Sequence, residues 1–333
     1  MAVLRRLSVA VPCYNEAEGL AELHRRLSAV CRSVVGEDYE IVLVNDGSRD
    51  DTWRRMAALA IQDPHIVAIN LARNYGHQIA LSAGLDHCHG KRILIIDADL
   101  QDPPELLPQM MKLMDEGADV VFGQRRSRLG ETRLKKIPAR LYYRLLRRLV
   151  DIDIPLDTGD FRLVSRRVVE VLKAMPERTR FIRGMISWMG LKQVGLLYDR
   201  DPRFAGATGY SLRKMVTLAI DGITAFSVVP LRIASYVGLV TGLVGVCMLL
   251  YSIGGWFFSR TVAGWASATT IMLVIGSAQL MVLGIVGEYL GRLYMETKQR
   301  PLYLVDNVVA RETALMPSRA EPATEDHLRG EVA

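Results

Sequence analysis

The chain has 333 residues, half of them hydrophobic, with a formal net charge of +6 and only 7% aromatic residues. This is long enough for one large domain with a substantial core and something besides. The modest basic excess with few aromatics argues for no nucleic acid and favours an anionic membrane surface or a phosphorylated substrate, while four cysteines with no CxxC pair exclude a disulfide framework and a zinc ribbon.

In "MAVLRRLSVAVPCYNE" the apolar run before Pro12 is too short for a signal peptide and predicts a first strand. The runs "YEIVLVND", "HIVAINL", "KRILIID" and "ADVVFG" predict further strands, with helices near residues 17–33, 51–61, 77–88 and 104–115. Short, β-branched runs that are apolar throughout suit parallel strands covered on both faces, so the expected fold is α/β with a doubly wound, mostly parallel sheet. Ligands of such sheets bind outside the carboxyl ends of the strands, where the polar clusters "PCYNE", "NDGS", "ARN" and "DADLQD" fall. Arg73 and Asn74 either approach a ligand there or fix their loop. "DHCHG" reads as a helix end before Gly90, since no further partner stands at zinc spacing.

The stretch "IDADLQDPPE" carries the chemistry. Alternation along a strand would put Asp97 and Asp99 on one side, two like charges that need a cation. Asp97, Asp99 and Gln101 are hard oxygen ligands at spacings of two and suit Mg2+ or Mn2+ completed by phosphate oxygens. Helix capping before Pro103 and Pro104 accounts for Asp102 but not for the pair. Neither GxxxxGK[ST] nor GxGxxG is present to hold phosphates.

Residues 133–150, "RLKKIPARLYYRLLRRLV", read either as a solvated helix packed on the sheet or as an interfacial helix on anionic headgroups. An acidic loop, "DIDIPLDTGDFRLVSRRV", follows, and residues 210–230 have the mixed character of a juxtamembrane amphipathic segment. Residues 233–258 carry no charge, about 39 Å of helix against a ~30 Å hydrocarbon core. A second uncharged segment starts at Val262, giving a transmembrane hairpin over 231–295 with helices at about 233–258 and 262–290. Gly238, Gly242, Gly245, Gly284 and Gly287 would let helices approach closely, so a homo-oligomer through these helices is one expectation. Arg232, Arg292, Lys298 and Arg300 outnumber Arg260 in the turn, which puts both termini on the cytoplasmic side of an inner membrane, as a multi-pass protein. Residues 296–333 are expected to be a cytoplasmic tail, its end disordered.

Together "VPCYNEAEGL", "VNDGSRDDT", "DADLQDPPE", "DTGDFRLVSRRV", "RFAGATGYSLRK" and "VGEYLGRLYMETKQRPLYLV" resemble the family-2 glycosyltransferases of the polyisoprenyl-phosphate type, the group of dolichol-phosphate mannose synthase and the bacterial two-helix undecaprenyl-phosphate glucosyltransferases. The resemblance covers roughly residues 7–305. It implies a GT-A-type catalytic domain over residues 1–209 and a nucleotide-sugar donor held by Pro12, Tyr14, Glu16, Asp46, Asp97 and Ala98. It further implies metal ligation by Asp97, Asp99 and Gln101, reacting-centre acids at Asp157 and Asp160, and phosphate-contacting arginines at Arg125 and Arg203. The catalytic set is then Asp99, Asp157, Arg125 and Arg203. The element Gly206-Ala207-Thr208-Gly209-Tyr210 departs from the family by lacking a lysine at Gly209, which removes that acceptor-phosphate contact.

The implied reaction is inverting transfer of a sugar, first choice glucose from UDP-glucose, to polyprenyl (undecaprenyl) phosphate in the bilayer, with a separate flippase downstream. Transfer from GDP-mannose, or a non-catalytic membrane adaptor that binds nucleotide-sugars, are the alternatives. A processive polysaccharide synthase is disfavoured by the absence of QxxRW and by the single hairpin.

Overall fold

The computed structural model describes residues 5–126, 158–199, 229–257 and 265–311. Its sheet is built from β1 (Leu7–Cys13), β2 (Tyr39–Asn45), β3 (Ile66–Leu71), β4 (Arg92–Ile95), β5 (Val120–Arg125), β6 (Thr158–Ser165), β7 (Gln193–Tyr198) and β8 (Val305–Ala310). The order across it is β7-β5-β6-β4-β1-β2-β3-β8. Helices α1 (Leu20–Val35), α2 (Thr52–Gln62), α3 (His77–His87), α4 (Leu107–Asp115), α5 (Arg166–Ala174) and α6 (Ile182–Trp188) cover it, and α7 (Val229–Phe257) and α8 (Trp265–Thr297) follow. Every residue of β1 and β2 is buried, which is why their runs are apolar rather than alternating. One core cluster packs α1 and α4 on one face of the sheet and another packs α3, α5 and α6 on the other.

The sheet is mostly parallel, as expected, but mixed: six of its eight strands run one way and β6 and β8 run the other. β4, β1, β2 and β3 run parallel, as do β5 and β7, but β6 is antiparallel to both β4 and β5, and β8 is antiparallel to β3. The reversal of β6 matters for the site. It brings the start of β6 and the ends of β5 and β7 to the same edge as the carboxyl ends of the four parallel strands.

Pro12 sits within central β1 yet costs no ladder bond. The Ala10 carbonyl accepts the N–H of Ile96 (3.2 Å) and the Cys13 carbonyl that of Asp46 (2.9 Å), so the proline nitrogen faces β4 beyond its last paired residue, Ile95. The parting of β4 from β1 at that level opens the cleft.

Two features differ from expectation at the C-terminal end. Helices α7 and α8 extend over Val229–Phe257 and Trp265–Thr297, beyond the uncharged runs, taking in charged residues such as Arg232 and Arg292 as further helical turns. Both are long and apolar enough to cross a membrane, and their large side chains stay exposed, unlike those of a soluble core helix. Residues 305–310, assigned to the tail, are instead the eighth strand. The link back is pinned by Arg178 N–H to Glu296 Oε1 (2.8 Å), Tyr303 O–H to Asp86 Oδ2 (2.8 Å), Ala72 N–H to the Leu304 carbonyl (2.9 Å) and Asn70 Nδ2 to Asp306 Oδ2 (2.9 Å). A cavity of about 410 Å³ lies between α8 and the catalytic domain, lined by Ile79, Arg178, Gly287, Arg292, Met295 and Leu302 among others.

Candidate active site

The first two loops are stitched together. Asn15, at φ 56°, donates its N–H to Ser48 Oγ (3.0 Å) and accepts that of Arg49 on Oδ1 (2.8 Å), while the Glu16 N–H reaches Thr52 Oγ1 (2.9 Å). This accounts for the density of Ser, Asp and Thr in "NDGSRDDT". Gly47 combines φ 63° with so close an approach to the next loop that a Cβ would stand 2.5 Å from the Asn74 nitrogen. Tyr14 projects from this framework, 43% exposed, with Glu16 half-buried beside it in sequence.

Asp46 is buried, and its carboxylate accepts the N–H groups of Tyr75 (2.7 Å) and Gly76 (3.0 Å). Burial pushes its pKa up against these two hydrogen bonds. Its main visible work is to fix the loop before α3. Arg73 and Asn74 share that work: Asn74 Nδ2 donates to the Asp46 carbonyl (3.0 Å) and Arg73 stacks over Tyr75 at 4.5 Å.

β4 ends at Ile95, so Asp97 and Asp99 lie in the turn beyond it, and strand alternation does not apply to them. Leu100 at φ 58° turns the chain, and the Gln101 N–H closes onto Asp99 Oδ1 (3.2 Å). Asp97, Asp99 and Gln101 are all half-buried, whereas Ala98 and Leu100 point into the core. Ala98 thus has no side chain in the cleft.

Around this turn two charged networks have no precursor in the sequence reading. In the first, His77 Nε2 lies 3.1 Å from Asp160 Oδ2 and 3.5 Å from Asp97 Oδ1, Gln78 Nε2 donates to Asp160 (2.9 Å), and Arg183 Nε pairs with Asp160 Oδ1 (3.0 Å). Burial would lower the His77 pKa, but the hydrogen bond to Asp160 and the charges of Asp97 and Asp160 outweigh it and raise it to about 9. Burial and the neighbouring acids raise Asp97 to about 6 against the pull of His77. Burial would also raise Asp160, yet Arg183 and His77 hold it well below the usual carboxylate range.

In the second, Asp102 is buried and accepts a short hydrogen bond from the Tyr198 hydroxyl, with Arg125 Nη2 4.0 Å away and Arg125 Nε 3.4 Å from the same hydroxyl. Asp102 therefore braces Arg125 and does not cap the following helical turn, which has no side-chain cap. Gly159 leaves the room this needs, since a Cβ there would meet Arg125 Nη2 at 2.9 Å. Asp157 and Arg203 lie outside the described residues, as do residues 133–150 and 210–228.

Among the described residues no three His, Cys, Asp or Glu side chains form a self-sufficient metal site. The pair Asp97 and Asp99 with the Gln101 amide nevertheless fits a hard dication that takes further oxygens from a ligand. Asp97 Oδ1 is buried without a hydrogen-bond partner, a carboxylate the protein leaves under-satisfied.

Residues 8–173 match the family described as Glycosyl transferase family 2. The chain is 46% identical over 301 residues to an uncharacterised glycosyltransferase of Bacillus subtilis (strain 168), covering 90% of this chain and 92% of that one. It is 40% identical to a prophage bactoprenol glucosyl transferase homolog of Escherichia coli (strain K12), covering 91% and 99%, and 39% identical to the bactoprenol glucosyl transferase of Shigella phage SfX, covering 90% and 98%. With a GT-A-type sheet whose strand ends gather these acids, a family match across about half of the chain and relatives matched over about nine-tenths of it, the chain belongs to glycosyl transferase family 2.

Proposed function

We propose that this glycosyltransferase moves glucose from UDP-glucose to a polyprenyl phosphate at the cytoplasmic face of the membrane, with inversion at the anomeric carbon. The observation that carries this reading is the gathering of Asp97, Asp99 and Gln101 at the carboxyl edge of the sheet, in a chain whose two following helices expose their apolar side chains. The names of the bactoprenol glucosyl transferases that it resembles support both the sugar and the lipid. The excess of Arg and Lys outside the hairpin turn supports cytoplasmic termini.

Asp97, Asp99 and Gln101 would hold Mg2+ or Mn2+, which when bound supplies positive charge to the donor's diphosphate. Tyr14 offers a ring for the base, and Glu16 an acceptor for base or ribose donors. Arg125, braced by Asp102 and Tyr198, places a fixed guanidinium where charge grows on a leaving or attacking phosphate. The lipid phosphate has a second pKa near 6 and is largely ionised at neutral pH, so the attack needs little general-base help. Asp157 then positions hydroxyls and steadies the transition state. A product left on the cytoplasmic leaflet calls for a separate flippase.

The test is organic-phase transfer of label from a panel of radiolabelled nucleotide-sugars to undecaprenyl phosphate in detergent, with Mg2+ or Mn2+. Metal-dependent transfer from UDP-glucose, lost by about 10²-fold or more in Asp99→Ala, is the expected outcome. Transfer from GDP-mannose alone would replace the donor assignment, and nucleotide binding without any transfer would favour an adaptor.

A further inference from the structure

The carboxylates of Asp97 and Asp160 come from different strand ends, and a single nitrogen, His77 Nε2, stands between them at 3.5 and 3.1 Å. We propose that His77 and Arg183 are positioning residues that bind Asp97 and Asp160 into one charge-balanced unit, so that Asp97 presents its free oxygen, Oδ2, to the donor in a single orientation. The inference rests on the donor-site reading of Asp97.

Asp160 is 8% exposed, too buried to be left to water, and takes three partners from two elements: His77 and Gln78 on α3, and Arg183 on α6. Its Oδ2 is held by His77 and Gln78, whereas Oδ1 lies in ion-pair range of Arg183 without a hydrogen bond. Oδ2 thereby anchors His77. The nitrogen that it fixes then faces Asp97 Oδ1, which has no hydrogen bond of its own. Since the Asp97 side chain retains 29% exposure while Oδ1 is buried, Oδ2 is the oxygen left to the cleft.

The unit is itself cross-braced. Gln78 Oε1 accepts the Ile182 N–H (3.0 Å), and Arg183 Nη1 donates to the Thr158 carbonyl (2.8 Å), tying the start of α6 to α3 and β6. Arg162, buried on the same face of β6 as Asp160, donates to the Gly159 carbonyl (3.1 Å) and adds a second fixed positive charge nearby. Removing His77 would take away the nitrogen that reaches both carboxylates and leave Asp97 Oδ1 without its nearby cation.

The test uses the full chain in detergent, with calorimetric titration of UDP, and separately GDP, in the presence of Mn2+, and with melting curves to confirm folding. Asp97→Asn and His77→Ala are expected to weaken nucleotide binding by about 10-fold each, His77→Lys to recover it to within about twofold, and Arg183→Met to be non-additive with His77→Ala. A His77→Ala variant that binds as tightly as the wild type or more tightly, or a lysine no better than alanine, would overturn the inference. If Asp97→Asn binds both nucleotides normally, or the wild type binds neither, the donor-site reading itself fails and the inference with it. Loss in Asp97→Asn with normal binding in His77→Ala sinks the inference alone.

Discussion

Leu27 in α1 and Leu280 in α8 are the same side chain in opposite surroundings, 1% exposed in one case and 70% in the other. In the catalytic domain most large apolar residues are covered by other protein, with exceptions such as Trp188 and Leu197. In α7 and α8 most of the large apolar residues described are exposed, Leu239 and Leu283 among them. The contrast teaches that one rule of burial does not govern both regions: water is excluded from a close-packed core in the first, and under the membrane reading proposed above hydrocarbon would accept bare leucine in the second.

That contrast can be broken experimentally. Leu27→Ala should cost about 2–5 kcal/mol of stability, measured by denaturant unfolding of the catalytic domain's signal in detergent, because it empties space in a packed core. Leu280→Arg should cost about 3–4 kcal/mol in membrane insertion, read by fractionation or an insertion reporter, whereas a helix lying in water would take the arginine at no cost. At the junction of the two regions, Glu296→Ala should lose about 1 kcal/mol by leaving the Arg178 N–H without its acceptor.

The smallest expected effect is a pH dependence confined to the catalytic side. His77 titrates near 9 in the folded protein against 6.5 in the unfolded chain, so its contribution is fully present below about 6.5 and fades as pH rises through about 9. Metal-free wild type should lose on the order of one or two degrees of melting temperature across that window, a loss absent from His77→Gln. A pH response equal in both proteins would put its source elsewhere.

Much of the catalytic side was legible because its signals are local. Apolar runs of strand length, spaced acids after the fourth run and the helices between them are each contained within a dozen residues. The polarity of β6 was not legible, since nothing in "TGDFRLVS" says which neighbour it pairs with or in which direction. His77 was passed over for the same reason: its partner Asp160 is 83 residues away, and a histidine after "RNYG" has no meaning until β6 reverses and meets it. Asp102 looked like a helix cap by spacing, and only the arrival of Tyr198 from β7 gives it another task. β8 hid in a polar tail because a six-residue edge strand carries too little hydrophobic pattern to announce its pairing with β3. The hairpin, by contrast, needed no partner to be recognised, only length and the absence of charge.

The return of the chain as β8 has a consequence for biosynthesis. Strand β3 is made early, yet the strand that covers its outer edge emerges only after both apolar helices have been synthesised. Until α7 and α8 have left the ribosome, the nascent sheet carries an unpaired edge, the kind of surface that recruits other chains. Completion of the enzyme's sheet therefore follows synthesis of the hairpin. A chain that stalls before its second helix would remain visible to quality control as an unfinished β-edge.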